Sequence, residues 1–170
     1  MLVYSGALFT EIYGTSSMAT GIALAIVAAA YLTGNRLGGQ MRPGRARWTM
    51  LHASVVAALA IALTWAVTRS LALTLVFFCV ASVVTAARTV AATVYGFSVA
   101  GDLRHEIGAI RAATTQLGYL IGSLVGGIAI TVGGFGLLSL AFGGLLAAAT
   151  LPYVCLRRPC RLEAARAAAA

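Results

Sequence analysis

A chain of 170 residues with 61% hydrophobic and only 9% charged residues, and a mean hydropathy of +0.95, is not a water-soluble domain. Such a domain carries roughly 25% charged residues and needs polar cover for its surface. The net charge of +8 would point a soluble protein toward nucleic acid, but here every basic residue is an arginine and most lie between apolar segments, as orienting charges do in membrane proteins. The composition predicts an all-α, polytopic transmembrane helix bundle, with the lipid bilayer as partner and no nucleic acid.

A crossing helix needs about 20 mostly apolar residues. Met1 to Tyr13 is apolar but too short, and reads as a partial first span whose start lies upstream. It does not read as a signal peptide, because no basic residue precedes Arg36 and Glu11 interrupts it. Met18 to Leu32, extended through Gly34, is the first complete span. Trp48 to Thr68 is the second, with Trp48 placed as an interfacial anchor. Leu71 to about Val99 is the third, long enough to require tilt or an extension past the bilayer. Ala112 to Val132 is the fourth and Phe135 to Leu156 the fifth, parted by a tight turn at Gly133-Gly134. The expectation is about five complete spans plus a partial one over 1–156, followed by a basic tail over 157–170.

Arginine placement orients these spans. Arg36, Arg42, Arg45 and Arg47 follow the first complete span, Arg104 and Arg111 precede the fourth, and Arg157, Arg158, Arg161 and Arg166 lie in the tail. The alternate connections are nearly bare, with only Arg69. Positive residues mark the cytoplasmic side, so Met18 begins outside and the C-terminus is cytoplasmic, in the inner (cell) membrane. Gly118, Gly122 and Gly126 recur at four-residue spacing, as do Gly34 and Gly38. That interval lets helix backbones approach closely in lipid.

Four segments carry a family resemblance. TGNRLGGQMRPGRAR, Thr33 to Arg47, resembles the cytoplasmic loop between the eighth and ninth helices of major facilitator superfamily transporters of the arabinose-efflux-permease and drug-efflux type, with Gly34, Asn35, Gly38 and Gly39 on the loop signature. Pro43 and Gly44 stand where that pattern has an Asp-Arg pair. RAATTQLGYLIGSLVGG, Arg111 to Gly127, is similar to the eleventh helix; GDLRHEIGAIRA, Gly101 to Ala112, resembles the short polar loop before it; and YSGALFTEIYG, Tyr4 to Gly14, resembles the outer end of the seventh. The resemblance implies the C-terminal half of a twelve-helix transporter, with helix seven truncated. It implies proton-coupled efflux of a small-molecule substrate by alternating access between two halves. The chain would then depend on an N-terminal half or a partner subunit, and would not transport as a monomer.

Polar groups inside a membrane are costly and so are candidates for function. Arg88 leads. If its helix ends near Thr93 it snorkels to the interface; if the helix runs to Val99 it lies deep and faces a cavity, where its guanidinium suits a carboxylate. Gln116 and Tyr119 share one helix face and can bond a substrate or a neighbouring helix. Glu11 reads as a rim carboxylate, and Asp102, Arg104, His105 and Glu106 as a cytoplasmic loop cluster. No catalytic motif occurs, and Cys79, Cys155 and Cys160 lack metal spacing, so neither an enzyme nor a cofactor is expected. A non-transporting structural subunit, or an inactive remnant of a transporter, fits the composition equally well.

Overall fold

The computed structural model describes residues 2–41, 43–66 and 70–151. The basic tail, with Cys155 and Cys160, lies outside them. The described residues form helices α1 (Leu2–Tyr13), α2 (Ser17–Gly39), α3 (Pro43–Ala66) and α4 (Leu71–Ala100), a 3-10 turn (Gly101–Leu103) and α5 (Arg104–Ala148). No strand occurs among them. Three of these helices, Ser17–Gly39, Leu71–Ser98 and Gly101–Ala148, are long and apolar enough to cross a bilayer, and Trp48–Thr64 is a shorter apolar helix.

The expected fourth and fifth spans lie within the single element α5, which reverses at Gly133 (φ −141°, ψ 16°) and Gly134 (φ 64°, ψ −161°). Residues 122 and 142 of a straight helix would stand about 30 Å apart. Instead, a Cβ on Gly122 would lie 3.9 Å from the Phe142 ring. The two limbs, 104–132 and 135–148, therefore fold back as a helical hairpin. Gly134 permits this, because its backbone occupies a region essentially reserved for glycine.

α4 is the centre of the bundle, flanked by α2 and α3, and α3 also packs on α5. The α2 contact is close because of glycine. Gly34 sits against the Val83 carbonyl and Ala86, and Gly38 against Ala87 and Val90. Gly34, Asn35, Gly38 and Gly39 thus belong to the last turns of α2 and not to a loop. Glycine and asparagine punctuate helices in water, but glycine is common inside membrane helices, where close backbone packing replaces the hydrophobic effect. The connection to α3 shrinks to 40–42.

α3 and α4 run antiparallel, with Ala46 and Met50 clustered with Ala91, and Ala60 and Ile61 with Ala81. A larger cluster closes the opposite end: Leu8 and Phe9 of α1, Val27 of α2, Phe78 of α4, and Ala129, Phe135 and Leu138 of α5. The Phe9 and Phe78 rings meet at 5.8 Å, and the Tyr13 and Thr74 hydroxyls at 2.6 Å. The α1–α2 turn, the start of α4 and the α5 reversal accordingly share one end of the bundle. The α2–α3 corner and the Gly101–Leu103 turn share the other.

Candidate functional site

α4 continues to Ala100, so Arg88 lies deep within it, about 25 Å along the helix from Leu71. Its Nε donates to Ser54 Oγ on α3 at 2.6 Å. Ser54 is fully buried, and its own hydroxyl donates to the Met50 carbonyl at 2.8 Å. The serine thus satisfies one helix with its proton and holds the arginine with its lone pair. Arg88 is half-buried. The described carboxylates, Glu11, Asp102 and Glu106, are exposed and lie at or near helix ends, so none stands at the depth of Arg88.

Gln116 lies about 25 Å along α5 from the reversal at Gly133. That end of the bundle also holds Leu71, so Arg88 and Gln116 share a depth although they sit on different helices. No hydrogen bond joins Arg88 to Gln116 or Tyr119. Gln116 is exposed and Tyr119 is 70% exposed. Indeed every residue from Ala112 to Ile121 is exposed. All faces of this stretch of α5 are exposed, while the same helix from Gly126 onward buries one face, at Gly126, Ala129, Phe135, Leu138 and Ser139 among others.

The small-residue stripe divides the same way. A Cβ on Gly126 would overlap the Tyr4 ring, one on Gly122 would just touch Phe142, and one on Gly118 would meet open space. The Tyr4 hydroxyl donates to the Ser123 carbonyl and fastens α1 to α5.

Below this stretch α5 returns to α4. Arg111 Nη2 donates to Thr93 Oγ1 at 2.8 Å, and Phe97 lies beside Gly108. Arg111 therefore bridges two helices, where the sequence suggested a loop or interface charge. Asp102, Arg104, His105 and Glu106 are exposed around the short turn. Trp48 is 64% exposed and stacks on His52 with ring centroids 6.1 Å apart.

Two concavities stand out, and neither is lined by Arg88, Gln116 or Tyr119. A void of about 10 Å³ lies among Tyr4, Ser5, Leu8, Phe78, Phe135, Leu138 and Ser139, at the lower limit for one water. An open depression of about 570 Å³ is lined by Gln40, Met41, Arg45 and Thr49. Among the described residues no three His, Cys, Asp or Glu side chains gather to hold a metal.

Sequence reasoning missed Ser54, Tyr4 and Thr93 as partners. Ser54 carried one usable signal, as a hydroxyl within an apolar run, since such residues bond across membrane helices. No protein-family model, curated protein or solved structure matches this chain.

Proposed function

We propose that this chain is one half of a secondary transporter of the major facilitator type, and that it contributes one wall of a site for a small molecule. In this reading the chain crosses the membrane about five times, with the two limbs of α5 counted separately. The α2–α3 corner, which carries the exposed Arg36 and Arg45, faces the cytoplasm of a cell membrane. The sequence resemblances described above support the family.

The observation that carries the proposal is the bare stretch of α5. A helix facing only lipid has no use for Gln116, whose amide is costly to leave in hydrocarbon, and this residue stands at the depth of the unpaired edge of Arg88. A second half packed over this stretch would complete a cavity between them. Alternating access then follows from rocking of the two halves about that level. The coupling ion and the direction, proton-driven efflux, rest on the resemblance alone. In the runner-up reading the chain is a structural subunit or inactive remnant, and the same face is covered by a partner helix without water.

Cysteines placed singly at positions 88, 116 and 119, in a background with the native cysteines replaced, separate the two readings. A transport pathway makes them react in native membranes with a water-borne thiol reagent from at least one side. Silence at all three positions from both sides would sink the transporter reading. The purified 170-residue chain alone is expected to show no saturable flux in proteoliposomes.

A further inference from the structure

The depression between α2 and α3 is independent of the transport reading. Gln40 caps the end of α2, and Arg45 and Thr49 lie one turn apart on the first turns of α3, so all three polar groups converge on one concavity with Met41 as its apolar wall. The positive end of α3's dipole opens here. Arg36, in the last turn of α2, offsets the negative end of that helix. No acidic residue lines the depression; Asp102 and Glu106, at the same end of the bundle, lie outside it. Level with Thr49 on α3, the exposed Trp48 stacked on His52 suits a membrane interface.

We propose that this corner binds a phosphate group, and that the phosphate is the headgroup of an anionic phospholipid. The guanidinium fork of Arg45 suits two phosphate oxygens, Thr49 and Gln40 supply further donors, and Met41 forms the apolar wall. Basic pockets between membrane helices on the cytoplasmic side bind such headgroups. The volume of about 570 Å³ leaves room for the headgroup and its first waters. A soluble phosphate offers the same oxyanion but gains nothing from the apolar flank.

The test equilibrates the full chain in mixed micelles of phosphatidylglycerol and phosphatidylcholine and counts retained lipids by native mass spectrometry. Phosphatidylglycerol should be retained preferentially. Arg45→Gln should lower its retention by more than about fivefold, the effect of removing one surface arginine, while Arg104→Gln, at the same end but outside the depression, should stay within that factor. Thr49→Val, which changes no charge, should lower retention about threefold, the loss of one modest hydrogen bond. Equal effects of Arg45→Gln and Arg104→Gln, with Thr49→Val unchanged, would reduce the site to diffuse surface charge and overturn the proposal. Displacement of the lipid by millimolar inorganic phosphate would assign the site to a soluble anion and overturn its lipid source. Helicity by circular dichroism verifies each variant; if Arg45→Gln does not fold, Thr49→Val decides.

Discussion

Replacing Gly34 with alanine should separate α2 from α4. A Cβ at this position overlaps the Val83 carbonyl oxygen and lies 2.8 Å from the Ala86 Cβ, where carbon atoms prefer about 3.5–4.0 Å. Relief requires the two helices to part by about 1 Å. The nearer obstacle is backbone, which no rotamer change can clear. Gly38, one turn away, would lose its contacts with Ala87 and Val90 at the same time. Overpacking of this kind costs about 1–3 kcal/mol, and a rigid neighbour places the cost at the upper end. At about 2 kcal/mol the midpoint of thermal unfolding, followed by circular dichroism in detergent, should fall by about 4–8 °C. Gly21→Ala is the control, because a Cβ there meets nothing within 4 Å on the same helix, and it should change stability by less than about 0.5 kcal/mol. Equal midpoints for the two variants would refute the close α2–α4 contact.

Ser54→Val removes the acceptor for Arg88 Nε and should cost about 1–3 kcal/mol. The combined Ser54→Val, Arg88→Met variant should lose less than the sum of the single changes in the same thermal assay. Gly126→Ala drives a methyl into the Tyr4 ring and should cost more than Tyr4→Phe, which forfeits only the bond to Ser123, about 1 kcal/mol; midpoints of the two variants rank them. Gly134→Ala places a side chain at φ 64°, ψ −161°, a strain of about 1–3 kcal/mol. It should lower resistance to unfolding by sodium dodecyl sulfate, whereas Gly144→Ala, in open space, should not.

Apolar length made the long elements legible. The third expected span, Leu71 to Val99, ends one residue short of α4, because composition alone distinguishes lipid from water over so many residues. The paired glycines between two apolar runs likewise announced the reversal at Gly133-Gly134. Polar and glycine-rich segments misled. Arg104 to Arg111 reads as a loop by its charge, yet it is the first two turns of α5, since a helix can extend past the bilayer with its polar residues in water. Thr33 to Arg47 reads as a loop by its arginines and its family resemblance, yet α2 passes through half of it, where Gly34 and Gly38 let α4 come close. Pairings such as Tyr4 with Ser123 join residues far apart in sequence and leave no local mark in the residues that make them.

The candidate site shows most clearly how far helix length reaches into function. From sequence, Arg88 had two places, at an interface or within a cavity, according to where its helix ends. With α4 extended to Ala100, a snorkelling arginine would have to reach along the helix toward that end. Side chains on a helix lean instead toward its N-terminus, and Arg88 turns onto α3, where Ser54 takes its Nε. The serine is neutral, so the bond leaves the charge uncompensated. In the proposed transporter reading, with the described carboxylates exposed and near the helix ends, a positive charge at this depth would be sustained by water, an anionic ligand or a carboxylate from another polypeptide. In that reading each of these would enter beside α4, and the exposed stretch of α5 at the same level stands where the far wall of such an opening would begin.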